Sequence, residues 1–195
     1  MVTSIGGGAF YECSSLTSIT IPNSVTKIET GAFGRCVNLG SVNFSGTLDQ
    51  WCNINFMWPS GGSNPMLYAK HLYINGVELK GEVIIPEGIT ELQGTFIGCT
   101  EITRVVLPST LTRLGDWVFG YCTGLTSITI PKTVTMLNFG VFGGCSSLLT
   151  INYEGTQSEW EAITKEYKWN VLESREVVFS DGTKISTKGF SVGAC

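Results

Sequence analysis

The sequence has few charged residues and lacks the features that mark membrane or nucleic-acid binding. Only 14% of its 195 residues are charged, with 12 Lys and Arg against 16 Asp and Glu, and it holds one histidine. Without a basic run or a basic excess, nucleic-acid binding has no electrostatic basis. No stretch reaches the roughly 18 apolar residues of a membrane span, so membrane insertion is not expected. The first residues have neither the basic nor the apolar region of a signal peptide.

What the sequence does contain is a repeat of 23 residues. In each copy a phenylalanine is followed three residues later by cysteine and three further on by leucine or isoleucine. The copies are centred on Phe10, Phe33, Phe96, Phe119 and Phe142. Self-similarity at a fixed period of this length is the signature of a repeat architecture. Stacked repeats bury a continuous core that no single repeat could bury alone.

Each copy contains one segment that predicts a half-buried strand. Residues 17–21 and 126–130 alternate polar and apolar side chains and are rich in β-branched residues. A proline follows such segments, at Pro22, Pro108 and Pro131, and marks the end of the strand. The Phe, Cys and Leu positions, spaced by three, suit a short helical or 3₁₀ return. The alternative is a parallel β-helix with two or three strands per turn, but its strands would place inward residues two apart.

Assembled, residues 5–28 read Ile-x-x-x-Ala-Phe-x-x-Cys-x-x-Leu-x-x-Ile-x-Ile-Pro-x-x-Val-x-x-Ile. This unit closely resembles the BspA-type leucine-rich repeat of bacterial and some protozoan surface proteins, directly over residues 2–44 and 83–153. The resemblance implies an α+β repeat solenoid with a parallel concave β-sheet and short helical or 3₁₀ returns. It also implies a cell-surface or secreted protein that adheres to host or extracellular-matrix proteins, or serves as a spacer, without catalysis. No cofactor is expected.

The whole chain, residues 1–195, is predicted to form a single solenoid with one interruption. Residues 45–82 break the period, and residues 154–195 form a similar C-terminal capping module. Both segments contain Gly-Thr-x-x-x-Trp-x-x-Ile, at 46–54 and 155–163. The middle of the first segment, residues 56–65, is rich in Gly, Pro and Ser and predicts an exposed loop. Since the chain begins within a repeat, it is expected to be a fragment of a longer protein.

The two similar segments also share signals for local structure. Capping boxes at Thr47 with Gln50, and at Thr156 with Glu159, each predict a short helix. The tryptophans of these helices, Trp51 and Trp160, are assigned to the core. Asn-Gly at 75–76 and Asp-Gly at 181–182 predict tight hairpins between strands.

Reactive residues give no sign of a catalytic or metal site. Five of the seven cysteines occupy one position of the repeat and are interpreted as small buried apolar side chains. Metal sites favour close Cys-x-x-Cys pairs, which the sequence lacks. Cys52 and Cys195 lie outside the repeat positions and are the plausible free thiols. His71, the sole histidine, has no nucleophile motif near it and is predicted to lie on a surface strand.

The candidate partner-binding residues are those that point outward from the predicted sheet. They are Ser18, Thr20, Ser41, Asn43, Arg104, Val106, Ser127, Thr129, Thr150 and Asn152. Trp58, in the predicted loop, is a candidate aromatic anchor, and the alternative is that it folds back on the sheet edge. The face could serve as a hydrogen-bonding platform for a protein or a glycan, or it could be an ordinary exposed sheet with hydroxyl ladders. A carbohydrate-binding module would need exposed aromatic rings, for which Trp58 and Trp169 are the candidates.

Overall fold

The computed structural model describes residues 1–170 and 175–187. The chain winds into stacked coils, most of which contribute one longer and one shorter β-strand. The first strands are β1 (Ser4–Ile5), β2 (Ser18–Ile21), β3 (Lys27–Ile28), β4 (Ser41–Phe44), β5 (Asn55–Phe56), β6 (His71–Ile74) and β7 (Val77–Glu78). They are followed by β8 (Gly81–Ile84), β9 (Glu91–Leu92), β10 (Ile102–Val106), β11 (Arg113–Leu114), β12 (Ser127–Ile130), β13 (Met136–Leu137), β14 (Thr150–Tyr153), β15 (Thr164–Lys165), β16 (Arg175–Val178) and β17 (Lys184–Thr187). Two helices, α1 (Leu48–Cys52) and α2 (Gln157–Ala162), and two 3₁₀ turns, Pro59–Gly61 and Pro65–Leu67, complete the elements.

Equivalent strands of successive coils pair in parallel. The longer strands form two sheets, of order β2-β4-β6-β7 and β17-β16-β14-β12-β10-β8. The shorter strands form two more, of order β1-β3-β5 and β15-β13-β11-β9. The register within the regular repeats advances by one period, so that Ser18 pairs with Ser41 and Ser127 with Thr150. The predicted repeat solenoid with parallel sheets is confirmed.

The shorter strand of each coil was not predicted. It contains the apolar residue that comes six places after the proline, as in β3, where Ile28 is buried and Lys27 is half-buried. Two residues are too few to show an alternating pattern, so the sequence reveals the buried position but not the strand. Most coils therefore have two strands, as in the β-helix alternative. They also have the return with apolar residues spaced by three that is expected of the leucine-rich unit.

Each return is the Phe-x-x-Cys-x-x-Leu segment that leads to the next long strand, and it consists of consecutive single turns. In one coil the Cys122 N–H donates to the Phe119 carbonyl and the Leu125 N–H to the Cys122 carbonyl, both at 3.1 Å. These bonds span three residues, as in a 3₁₀ helix. This geometry explains why the apolar residues of the return recur every three positions.

Two positions of each return have a left-handed backbone, and glycine occupies six of these ten places. The residues two places before the phenylalanine have φ between 55° and 70° and are Gly8, Gly31, Gly94, Trp117 and Gly140. Those two places after it have φ between 58° and 75° and are Glu12, Arg35, Gly98, Tyr121 and Gly144. Glycine adopts this conformation without the steric cost of a Cβ atom.

The phenylalanines form buried files along the axis, as the repeat predicts. The rings of Phe96 and Phe119 stack with centroids 5.8 Å apart, and Phe119 and Phe142 stack at 5.9 Å. Phe33 is fully buried, whereas Phe10 in the first coil is only partly buried against it. One continuous apolar core runs through both halves of the described chain.

Residues 45–82 lose the sequence period but still complete a coil. Strand β5 pairs with β3, and β6 pairs with β4. The prediction of an exposed loop over 56–65 is wrong for most of that segment, because Phe56, Ser63, Asn64 and Pro65 are buried. The segment takes the place of a return, and the Phe33 N–H donates to the Gly62 carbonyl at 2.8 Å.

The predicted helices and hairpins are present. Both capping boxes are formed, with Thr47 N–H donating to Gln50 Oε1 at 3.0 Å and Thr156 N–H to Glu159 Oε2 at 2.7 Å. The tryptophans of both helices are buried, as predicted. The pairs β6–β7 and β16–β17 are antiparallel hairpins at the two predicted turns. Residues 171–174 and 188–195 of the predicted C-terminal module, including Cys195, lie outside the described residues.

The cysteines of the repeat pack in the core and hydrogen-bond across coils. The thiols of Cys36, Cys122 and Cys145 donate to the carbonyl of the phenylalanine one coil earlier, at 2.9–3.0 Å. Cys13, in the first coil, is exposed. Cys52, predicted to be a plausible free thiol, is free but buried at the end of α1. Burial raises the pKa of the Cys52 and Cys99 thiols well above the ordinary value for cysteine.

Candidate functional site

The ten predicted sheet residues lie in rows on the outer faces of the two long-strand sheets. Pairing aligns Ser18 with Ser41 and Thr20 with Asn43 in the first sheet. In the second sheet one row contains Arg104, Ser127 and Thr150, and the next contains Val106, Thr129 and Asn152. Each row alternates with a buried row, as in any strand with one face in the core. The structure thus groups the predicted residues into two separate patches.

Further outward residues, which were not among the candidate partner-binding residues, extend both patches. His71 and Tyr73 continue the rows of the first sheet. In the second sheet Glu82 pairs with Arg104, and Ile84 pairs with Val106. The sequence does contain a signal for Ile84. Residues 83–85 precede a proline, as the other strands do, and alternation places Val83 and Ile85 inward and therefore Ile84 outward.

The charges of these faces are largely paired with one another. Arg104 Nε lies 3.5 Å from Glu82 Oε1, and Lys184 Nζ lies 2.9 Å from Glu176 Oε1. His71, on the surface strand where it was predicted, has its Nδ1 atom 2.7 Å from Glu78 Oε1. The hydrogen bond from His71, supported by Lys80, lowers the pKa of the Glu78 carboxyl. The exposed apolar residue Ile84 therefore lies on a face with little uncompensated charge.

Trp58 is exposed over 70% of its surface, as the sequence suggests, and lines a groove of about 410 Å³. The groove runs over the ends of the shorter strands and is lined by Trp58, Pro59, Gln93, Asp116, Trp117, Phe139 and Glu166. Gln93, Asp116 and Phe139 are 23 residues apart and occupy the same position in successive coils. The groove therefore follows the solenoid axis. Its volume lies within the usual range for ligand sites.

The second aromatic residue proposed from the sequence, Trp169, is buried in the core and cannot serve as an exposed platform. Its ring packs edge-on against Phe142, with centroids 6.4 Å apart, and against Trp160 at 5.8 Å. The groove tryptophan that sequence analysis missed is Trp117. It occupies a position that is glycine in four other copies, so the repeat gave no reason to look for a ring there.

Trp117 is held in place by glycines and by two aromatic neighbours. Its backbone is left-handed, with φ 55°, and its ring lies so close to Gly140 and Gly143 that a Cβ atom there would come within 2.9 and 2.8 Å of it. Phe139 meets the ring edge-on at 5.5 Å, and Tyr121 stacks on it at 5.3 Å. The indole is therefore fixed before any ligand binds.

The ionisable groups that line the groove are both carboxylates. Glu166 accepts hydrogen bonds from the Phe139 N–H and the Asn138 side-chain amide, both at 3.2 Å. The Oδ1 atom of Asp116 is buried and has no hydrogen-bond partner within the described part of the chain. A buried oxygen without a donor is unfavourable by roughly 1–3 kcal/mol. The groove thus combines fixed aromatic rings with negative charge and one unmet acceptor.

Residues 1–170 and 175–187 contain no group of three or more His, Cys, Asp or Glu side chains arranged to hold a metal ion. Within the same ranges, no helix has the length and apolar character needed to cross a membrane.

The profile of the BspA type leucine rich repeat region matches the chain in six copies, over residues 1–60 and 73–191. Similar solved structures include a leucine rich cell surface protein from Faecalibacterium prausnitzii A2-165, which is 26% identical with a TM-score of 0.38 over 77% of this chain and 35% of that one. A leucine-rich repeat protein from Bacteroides ovatus is 24% identical, with a TM-score of 0.30 over 91% of this chain and 59% of that one. The T. pallidum leucine rich repeat protein is 22% identical, with a TM-score of 0.32 over 77% and 52%. The chain thus spans between 35% and 59% of the length of these structures. Comparison with curated proteins gives no match.

Proposed function

Because the chain belongs to the BspA-type leucine-rich repeat family, we propose that it is a non-enzymatic module that adheres to a host or extracellular-matrix protein from the bacterial surface or as a secreted protein. The family supports a protein-interaction repeat module. The adhesive role, the location and the binding face are our proposal. We assign the binding face to the outer side of the second long-strand sheet, where Ile84, Val106 and Thr129 lie in one row.

The exposure of Ile84 is the observation that carries this proposal. Ile84 is 66% exposed and lies beside the half-buried Val106 on a hydrogen-bonded sheet. An apolar group on a rigid sheet binds a partner without losing much conformational freedom, and burying it there is favourable. The neighbouring pair of Arg104 and Glu82 supplies polar groups at the margin of the patch. An apolar centre with a polar rim is the usual anatomy of a protein interface.

Binding to immobilised extracellular-matrix proteins, before and after the substitution Ile84→Thr, tests the proposal. Threonine keeps the β-branched shape of isoleucine but removes most of its apolar surface. The expected result is a loss of affinity of about tenfold, equivalent to roughly 1.4 kcal/mol. The control is Leu149→Thr, because Leu149 is 70% exposed but precedes β14 rather than lying within it. Equal affinities for wild type and Ile84→Thr would contradict the assigned face.

The alternative function is that of a structural spacer within a larger surface protein. A spacer would bind none of the matrix proteins in the same assay, and the proposal would then be wrong. The proposed location is tested separately by antibody labelling of intact cells that express the full-length gene. Labelling that requires permeabilised cells would contradict it.

The thiols support the non-enzymatic part of the proposal. The sole histidine, His71, lies exposed on the outer sheet face, whereas the described thiols other than Cys13 are buried. The Cys52 and Cys99 thiols, with their raised pKa values, hold little nucleophilic thiolate at neutral pH. A screen of hydrolase substrates that finds an activity abolished by His71→Ala would overturn this part.

We further propose that residues 1–195 act as one solenoid unit. The support is the single apolar core, which includes residues of both halves such as Trp51 and Phe96. Unfolding by urea, followed by far-ultraviolet circular dichroism and by tryptophan fluorescence, should give coincident transitions. Two separated transitions would show two independent units.

A further inference from the structure

We propose that the groove between Trp58 and Glu166 binds an arginine side chain of an extended basic segment in a protein partner. This inference rests on the proposed interaction function but places a second contact on a different surface from Ile84. Three properties of the groove support it: its rings, its charge and its course along the axis.

The aromatic rings supply a platform for a flat cation. Trp58 is largely exposed, and Trp117 is already fixed by Gly140, Gly143 and Phe139. A guanidinium group stacks favourably on an indole face, and the attraction is larger where water is partly excluded. A ring that is fixed beforehand loses little freedom when the ligand arrives.

The charge of the groove selects a cation over a neutral ligand. Asp116 and Glu166 lie in its lining, and the lining contains no lysine or arginine. Glu166 already accepts two hydrogen bonds from the protein, but the buried Oδ1 atom of Asp116 accepts none from the described residues. A guanidinium group pairs with the carboxylates of the lining through charge-assisted hydrogen bonds, whereas a neutral sugar hydroxyl does not compensate their negative charge.

The course of the groove suits an extended segment. Its lining residues Gln93, Asp116 and Phe139 come from successive coils, which are spaced by about 4.8 Å in a parallel sheet. An extended chain rises about 3.3–3.6 Å per residue, so a segment lying along the axis passes from one coil to the next in one to two residues. The side-chain amide of Gln93 can then hydrogen-bond to the backbone of the segment.

Fluorescence anisotropy with a labelled Gly-Arg-Gly-Arg-Gly peptide tests the inference. The same peptide with citrulline in place of arginine has the same shape without the charge. We expect the arginine peptide to bind at least fivefold more tightly than the citrulline peptide. Trp58→Ala and Asp116→Asn should each weaken its binding at least fivefold, and Trp58→Phe should retain most of it.

The matched control is Glu154→Gln, which removes the same charge from an exposed position outside the groove. It should change the affinity less than twofold, and thermal unfolding should show that all variants remain folded. The inference is overturned if citrulline binds as well as arginine, if Trp58→Ala and Asp116→Asn bind like wild type, or if Glu154→Gln weakens binding equally. Binding of neutral glycans, but not of the arginine peptide, would also overturn it. None of these results depends on Ile84. Failure of the arginine-binding inference and failure of the proposed function can therefore be told apart.

Discussion

Arg175 Nη2 donates a hydrogen bond of 3.0 Å to the Phe142 carbonyl. In earlier coils the donor to the equivalent phenylalanine carbonyl is a cysteine thiol. The guanidinium also donates to the Leu148 carbonyl at 3.2 Å and, through Nε, to Asn170 Oδ1 at 2.6 Å. Arg175 is almost completely buried. The Arg175 side chain thus donates to carbonyls of the last coil that has a repeat cysteine. In earlier coils the following coil supplies these donors. This arrangement explains how a buried charge is tolerated there.

Replacing Arg175 with methionine should therefore destabilise the protein strongly. The substitution leaves the buried carbonyls of Phe142 and Leu148 without these donors, and we expect a loss of about 2–4 kcal/mol in the free energy of unfolding. The measurement is urea denaturation. Arg104→Met is the control, because Arg104 is exposed on the sheet face and its loss should cost less than about 0.5 kcal/mol. Equal effects of the two substitutions would contradict the capping role.

The left-handed glycines predict a graded effect of alanine substitution. Gly31→Ala adds a Cβ atom in open space at φ 70°, so its cost is conformational, about 1–2 kcal/mol. Gly98→Ala adds the same conformational cost at φ 75°, but its Cβ atom would also clash with the Met66 carbonyl oxygen. We expect Gly98→Ala to destabilise by at least about 2 kcal/mol more than Gly31→Ala in the same denaturation assay. Equal losses for the two variants would show that the backbone of residues 65–69 moves away freely.

The thiols should differ sharply in reactivity along the repeat. Cys13 is exposed, whereas Cys36, Cys99 and Cys122 are buried, and burial raises the pKa of each of these three thiols. Because the thiolate is the reactive form, a chromogenic disulfide reagent at pH 8 should modify Cys13 in the fast phase and the buried thiols only on unfolding. The Cys13→Ser variant should lose one equivalent from the fast phase. An unchanged fast phase would show that Cys13 is protected.

The two capping boxes should respond differently to acid. The hydrogen bond from the Thr156 backbone lowers the pKa of Glu159, whereas the equivalent residue in α1 is the uncharged Gln50. A lowered pKa in the folded state means that the ionised form stabilises the fold. This contribution is complete above the unfolded value, 4.5, and is lost as the pH falls through the lowered pKa.

Nuclear magnetic resonance titration of the Glu159 carboxyl carbon measures this shift. In the Thr156→Ala variant the pKa should move part of the way towards its ordinary value, because the hydroxyl that donates to Glu159 Oε2 at 3.0 Å is lost while the backbone N–H remains. The loss of the N-cap should also cost about 1 kcal/mol in the free energy of unfolding. Gln157→Ala is the control, because the Gln157 side chain donates to Glu161 at 2.7 Å, and it should leave the pKa of Glu159 unchanged. An unchanged pKa in Thr156→Ala would show that the hydroxyl contributes nothing to the shift.

The sequence was sufficient to predict the buried files and the long strands. A 23-residue spacing can repeat only if like side chains occupy like positions, so Phe119 above Phe96 follows directly from it. The capping boxes and hairpins were also predictable, because their signals are local. The coil formed by residues 45–82 was not, since its strands are held by pairing with β3 and β4 rather than by a pattern of their own.

The groove could not be derived from the repeat, because it consists of departures from the repeat. Trp117 replaces a glycine, and Trp58 belongs to a segment that matches no other copy. Asp116 and Glu166 are 50 residues apart in the sequence, and only the stacking of the coils places both in the groove lining. Side chains that differ between coils must be located by the structure, even where the coils themselves are predictable.

The hairpin β6–β7 ends the first long-strand sheet, and β8 begins the second. Among the described residues, the bonds that join the two halves here include Trp51 Nε1 to the Thr95 carbonyl at 3.0 Å and Asn64 Nδ2 to the Gly94 carbonyl at 2.7 Å. Elsewhere along the axis, neighbouring coils are joined by ladders of main-chain bonds. Under mechanical tension applied along the axis, the two halves should therefore separate first between β7 and β8, which makes this junction the mechanically weakest place in the solenoid.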